Sequence, residues 1–254
     1  MKVKKYKDFD DLYNSLIKEF LFSPNEIIDF VSIRRAIVKD IIISCSDYKC
    51  SIDLSKLGYS PEKKMKHLVK TYIDYDNLLS FCSKLKSSKS LTLTFYFNQK
   101  KINNGSCLIG LVFSREKSTS KWNKLNVLYR TSELETRMAA DLVMLHLLIK
   151  EYFFDLCNLD EIVFFLPQLY CSNVYVYYAL RYLEIKLKDL PKEHSWTKTL
   201  LRLKKQLFSK NSLSSKFASV AKIQKFYNGE RKIKSEEISL RKIFENKIKI
   251  KKGE

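Results

Sequence analysis

The sequence predicts an α/β (α+β) protein, in which a mostly antiparallel sheet is packed by helices and followed by a basic helical extension. Three observations predict it. The centre of the chain carries β-branched and aromatic runs separated by turn residues, helical periodicity flanks that centre on both sides, and positive charge gathers toward the C-terminal end. With 254 residues, 45% hydrophobic and 13% aromatic, against only 5 Gly and 4 Pro, the chain can bury a core and excludes collagen-like, low-complexity and fully disordered classes. The expected division is a domain over 1–197 and a basic helical extension over 198–254.

Residues 8–22 place Phe9, Leu12, Leu16, Ile17 and Phe20 at helical spacing behind an Asp-rich start that suits the positive end of a helix dipole. A second helical stretch is expected from Asn25 to about Val38, carrying Arg34 and Arg35. The short runs IIISC and KCSIDL read as strands or a hairpin. Ser60-Pro61-Glu62 then opens a mostly helical segment over 61–86. Next come strands over 90–98, 106–116 and 124–130, joined by Asn103-Asn104-Gly105 and by KSTSKWN, which predicts a three-stranded antiparallel meander.

A long helix is expected at once, with Ser132 and Glu135 as a capping box and an apolar stripe through Leu134, Met138, Leu142, Leu145 and Ile149. EIVFFLPQLY, 161–170, is continuously apolar, as for a strand covered on both faces, and SNVYVYYALRYLEIKL fits an amphipathic helix. Beyond it Leu200, Leu203, Leu207, Phe217, Val220, Ile223 and Phe226 keep rough helical spacing in a Lys-rich tail.

The chain has 47 Lys+Arg against 28 Asp+Glu, a net charge of +19, and +12 of it lies in the last 57 residues. Such a field draws nucleic acid, nucleotide phosphates or an anionic surface, and a composition rich in Lys, Ile and Asn is also what an A+T-rich genome encodes. DNA or RNA contact is expected at Lys204, Lys205, Lys222, Lys225, Arg231 and Lys232, beside the alternative of a solvated helix face. Six cysteines without a CxxC pair and three histidines predict no zinc site. No apolar leader core and no 18-residue apolar run occurs, so neither secretion nor a membrane partner is expected, and the thiols are expected reduced in a cytoplasm, that of the host for a viral or phage protein.

Three pieces of chain carry the chemistry. Cys107 opens a strand, LYRTSE at 128–133 joins a strand to a helix, and Asp141 follows Arg130 by eleven positions. A guanidinium offers a fork to phosphate oxygens, and a hydroxyl at a helix start adds a donor beside unpaired backbone N–H groups, which suits Arg130 with Thr131 or Ser132. Asp141 can accept from the amide edge of a pyrimidine, or donate to it when protonated, and a carboxylate prefers the amino group of cytosine. In order and spacing this set resembles the thymidylate synthase and deoxycytidylate hydroxymethylase family, over residues 106–183. The 23 positions from Cys107 to Arg130 exceed the family spacing by a few, which the longer hairpin SREKSTSKWNK absorbs.

The resemblance implies a thymidylate-synthase-like fold and a pyrimidine nucleotide or base as ligand. It implies a homodimer through a sheet face and methyl or hydroxymethyl transfer at pyrimidine C5. Cys107 would be the thiolate adding to C6, and Arg130, Thr131 and Ser132 would hold the phosphate, with Arg34 or Arg35 as an early phosphate ligand. Asp141 would read the base, and Tyr170, Ser172 or Asn173, in LPQLYCSN, would touch the sugar. Methylenetetrahydrofolate is implied only where the family chemistry is retained. The chain departs from the family in having Ser106-Cys107-Leu108 for Pro-Cys-His, no sugar-binding His and no Glu-Leu-x-Trp.

Each residue also has a bland role. Cys107 can be a small core residue, Arg130 can pair with Glu133 or Glu135, and Asp141 can pair with Arg137 one turn earlier. His146 can be a satisfied core histidine or a proton carrier. The tyrosines of VYVYYALRY can pack on the sheet or stack bases. Two functions therefore stand side by side: a C5-modifying, nucleotide-binding enzyme, and a non-catalytic basic DNA- or RNA-binding protein on the same fold.

Overall fold

A computed structural model of the chain describes residues 3–22, 27–30, 33–97, 107–118, 121–130, 132–172, 179, 182–184 and 238–252. Strand β1, Val3–Tyr6, runs into helix α1, Phe9–Phe22, whose first turn carries Asp10 and Asp11, and whose start is capped by Asp8 Oδ1 accepting from the Asp11 N–H at 2.9 Å. The periodicity expected there holds: Phe9, Leu12, Tyr13, Leu16, Ile17 and Phe20 are all buried.

The helix expected over 25–38 is instead a two-stranded antiparallel ribbon, β2 (Ile27–Phe30) and β3 (Ile33–Cys45), in the register Ile27↔Ala36 to Phe30↔Ile33. Seven of the residues from Ile27 to Ile43 are Ile, and β-branched chains lose rotamer freedom in a helix while fitting a pleated surface. Beyond the ribbon β3 lies parallel to β1, Val3↔Ile42 to Tyr6↔Cys45. The segment KCSIDL is not a strand. The Lys49 carbonyl accepts from Phe9 N–H, and the Asp53 side chain accepts from Ser55 N–H, so its backbone goes to turns and caps.

Helices α2, Pro61–Tyr72, and α3, Tyr75–Ser87, fill the segment read as helical, with Asp74 capping α3 through the Asn77 N–H. The meander is also present as β4 (Thr92–Tyr96), β5 (Leu108–Ser114) and β6 (Trp122–Tyr129), paired antiparallel. The Asn103-Asn104-Gly105 turn lies outside the described residues.

After β6 the two-residue strand β7, Ser132–Glu133, joins β8, Cys157–Ser172. Between them runs the central helix: a π-helical turn Leu134–Met138, helix α4 over Ala139–Leu148, and a second π-helical turn Ile149–Phe153. The expected capping box does not form, because Ser132 is spent on the strand, opposite Leu169, and its buried hydroxyl makes no hydrogen bond. The last described element is helix α5, Leu240–Lys252.

The result is a mixed, mostly antiparallel eight-stranded sheet in the order β1-β3-β8-β6-β5-β4, with β2 on β3 and β7 on β8. Its parallel pairs, β1/β3, β6/β8 and β7/β8, are the ones whose connections contain α1 or α4, as parallel pairing requires a crossover. One face is dry: Ile43, Leu111, Phe113, Leu125, Val127, Ile162 and Phe164 are buried, and Phe164 meets Phe9 edge to face at 5.5 Å. On the other face Ile42, Val112 and Leu128 are half-buried, and Tyr96 and Phe165 are exposed, so β8 is not covered on both sides by the described residues. Its apolar run fits its central position in the sheet, between β3 and β6. No described helix is long and apolar enough to cross a membrane.

Candidate functional site

The local fold at Cys107 is set by three backbone features. A bulge between Leu108 and Gly110 in the β5/β6 register leaves Cys107 beside Arg130, whose N–H donates to the Cys107 carbonyl at 2.9 Å. Gly110 is needed there because a Cβ would lie 2.9 Å from the Phe95 carbonyl oxygen across β4. The Cys107 N–H donates to Tyr72 Oη at 2.9 Å, which ties the strand to the last turn of α2. The wide π-helical turn then carries Arg137 over the thiol, where its Nη1 donates to Cys107 Sγ at 3.4 Å.

Asp141 lies one turn further, fully buried, and neither carboxyl oxygen has a hydrogen-bond partner. Burial pushes its acid up to about 8, against the pull of Lys64 and Arg137. Burial and then Asp141 raise the Cys107 thiol, while Arg137 and Arg130 lower it. Lys64, on α2 and 4.5 Å above the Tyr59 ring, is lowered by burial, with Asp141, Arg137, Glu133 and Cys107 as the charges that bear on it. Burial and Asp141 likewise raise the Tyr72 and Tyr129 phenols. The Cys107 thiol, the Asp141 acid, the Lys64 amine and the Tyr72 and Tyr129 phenols thus bear on one another in a buried region, a clustering of perturbed groups that occurs at reactive sites and in structural networks alike.

Of the residues singled out in the sequence, Cys107 and Asp141 come together here, with Ser132 buried two residues past Arg130. The Arg130 side chain is exposed, though its charge still bears on Cys107. Tyr170, half-buried on β8 opposite Glu133, is among the groups bearing on Arg137. Arg35 pairs in the backbone with Ser172, two residues beyond Tyr170, and Arg34 with Asp29. Thr131, Asn173, Lys204, Lys205, Lys222, Lys225, Arg231 and Lys232 lie outside the described residues.

Arg137 does not pair with Asp141 by hydrogen bonding; its guanidinium is on the sulfur. Lys64 and Tyr72 were missed. Their signal was a lysine three residues after the buried Pro61 and four before the buried Leu68, a charge at the margin of the apolar stripe of α2.

A cleft of about 330 Å³ lies elsewhere, lined by Cys50, Asp53, Pro61, His146, Lys150 and Ile238 among others. His146 is held there, its Nδ1 2.9 Å from the Tyr48 carbonyl, which answers to the satisfied-histidine reading. Among the described residues no group of three or more His, Cys, Asp or Glu could hold a metal ion. Neither the protein-family models nor the curated proteins contain a match to the chain.

Proposed function

We propose that the chain binds a pyrimidine nucleotide or base at Cys107, Arg130 and Asp141, and that its chemistry is addition of the thiol to the ring. The observation that carries this is Asp141: a carboxyl group buried without a single hydrogen bond, next to a thiol, is costly unless a ligand completes it. A neutral acid has one donor and one acceptor side by side, which matches N3 and the exocyclic group of a pyrimidine. Arg130, exposed at the strand end, suits the 5′-phosphate, and Tyr170 suits the sugar.

With the base held so, Cys107 sulfur bonds to C6, the C5=C6 electrons move toward the exocyclic group at C4, and C5 becomes the nucleophile. A one-carbon unit at C5 would make the protein a methyl- or hydroxymethyltransferase of viral or phage origin, working in a host cytoplasm. Among the described residues none is assigned to methylenetetrahydrofolate, so no step depends on it. A second copy docking on the sheet face that the described residues leave partly uncovered, with Ile42, Leu128, Val112 and Phe165, is the proposed dimer.

The test has two arms. Calorimetry with deoxycytidine and deoxyuridine monophosphates gives binding that Arg130→Ala and Asp141→Asn each weaken at least tenfold. Thiol addition alone exchanges the C5 hydrogen, so incubation in D2O gives deuterium at C5 that Cys107→Ser abolishes. No binding by either nucleotide, with Arg130→Ala silent, ends this reading.

The tail charge of +12 favours a second reading, a non-catalytic DNA- or RNA-binding protein. In that case log K falls with log salt by about 0.9 for each duplex phosphate neutralised, and truncation before Lys198 abolishes binding.

A further inference from the structure

On the nucleotide reading Cys107 must react as a thiolate, yet it is buried and faces a buried acid, both of which hold the proton on sulfur. Something has to favour the anion. Two guanidinium groups are candidates, and the sequence pattern points only to Arg130. Arg130 meets Cys107 through a hydrogen bond between their main chains, while its exposed side chain acts on the sulfur only through a charge that water screens. Arg137 is only half-buried, but it reaches the sulfur itself, donating from Nη1 at 3.4 Å.

We propose that Arg137 is the positioning residue that holds the Cys107 sulfur and poises it as a thiolate. The guanidinium keeps its proton, so the step is a plain ionisation: the S–H bond breaks, the electron pair stays on sulfur, and the proton passes to water. The hydrogen bond strengthens as the sulfur becomes anionic, and it fixes the direction of attack at the same time. The π-helical turn is what makes this reach available, since it sets Arg137 over Cys107 and leaves Asp141, four residues on, without that guanidinium as a hydrogen-bond donor.

The other ionisable groups around the sulfur are Lys64 and Tyr72 from α2, Tyr129 and Arg130 at the end of β6, and Asp141 from α4. Glu133 and Tyr170, from β7 and β8, bear on Arg137. Asp141 therefore opposes Arg137, and the two are expected to shift the thiol in opposite directions.

Thiolate absorbance at 240 nm, taken as the full-length protein minus its Cys107→Ser variant, gives the Cys107 titration midpoint without any ligand. Arg137→Gln raises that midpoint by about one pH unit or more, as loss of one charge-assisted hydrogen bond should. Asp141→Asn lowers it, and Arg130→Gln moves it less than Arg137→Gln does. An unmoved midpoint in folded Arg137→Gln, or a larger shift from Arg130→Gln, overturns the proposal. If circular dichroism shows Arg137→Gln unfolded, Arg137→Lys decides instead: a raised midpoint supports the role of the fork, and an unchanged one removes it. Calorimetry on the same variants separates the two readings. Nucleotide binding with an unmoved thiol sinks the role of Arg137 alone, whereas a shifted thiol with no nucleotide binding sinks the nucleotide reading alone.

Discussion

The two ends of the central helix are built alike and used differently. Each ends in a π-helical turn, and each brings an acidic side chain to a junction with neighbouring elements. At the far end Glu151 accepts from Leu240 N–H at 3.0 Å, Arg241 N–H at 2.8 Å and Ser239 Oγ at 3.2 Å, and its carbonyl accepts from Arg241 Nη2. Every oxygen there is engaged, in capping α5 and docking it on the core. At the near end Asp141 is more deeply buried and has no hydrogen bond at all. The difference separates an acid spent on structure from one that, on the nucleotide reading, is left for a ligand. A satisfied carboxylate holds two elements together, whereas an unsatisfied one costs stability.

The largest effect expected from breaking the far end is Phe244→Ala. Phe244 is buried, stacks on Tyr75 with ring centroids 4.5 Å apart and meets Tyr152 edge to face at 6.2 Å. Truncating it leaves a cavity between α5, α3 and the central helix, for a loss of about 3–5 kcal/mol in denaturant unfolding. Nucleotide affinity should stay within a factor of two. If affinity falls with stability, the two ends are not separable and the comparison fails.

Asp141→Asn tests the near end with the opposite sign. The folded acid titrates near 8, well above its ordinary value of 3.8. Between those values the native state binds more protons than the unfolded state, so stability falls as pH rises from about 4 to 8 and levels off above. The slope contributed by this one group approaches about 1.4 kcal/mol for each pH unit. Asn carries no such proton, so the variant loses that slope and is the more stable protein at pH 8, while binding nucleotide less well. Unfolding midpoints measured at pH 5, 6.5 and 8 decide it, and parallel curves for the two proteins would remove Asp141 from the buried, proton-retaining role.

How much of this was legible beforehand depended on whether the signal was local. The meander, the central helix and α1 were readable because each writes its own periodicity over many residues, and Phe9 through Phe20 or Leu108 through Ser114 carry it without help. The β2/β3 ribbon was not, since Asn25 to Val38 has apolar residues compatible with either period, and pairing with β8 across the chain decides for strand. At the candidate site, Cys107 and Asp141 were singled out by a family-like order and spacing, and the structure sets their charges to bear on one another. Lys64 and Tyr72 did not, because they reach it from α2 through tertiary packing, about 35 positions earlier in the case of Tyr72. Arg137 was visible as a neighbour of Asp141 and turned instead to the sulfur, a choice made by the π-helical turn, which no local pattern announces.

The smallest effect sharpens the comparison most. Glu151→Gln keeps the size of the side chain and one acceptor oxygen, but replaces the other with an NH2 group that faces the donors of α5. It also removes a negative charge from the start of a helix, where unpaired N–H groups and the dipole favour one. Together these cost about 1 kcal/mol, the usual scale for a lost cap. Hydrogen exchange reads it locally: the Leu240 and Arg241 amides, now protected by Glu151, should exchange several-fold faster, while the Cys107 titration stays where it was. An acid at the far end whose loss also moved the near-end thiol would have to be coupled to it through α4, and the satisfied and unsatisfied carboxyl groups would then belong to a single electrostatic unit.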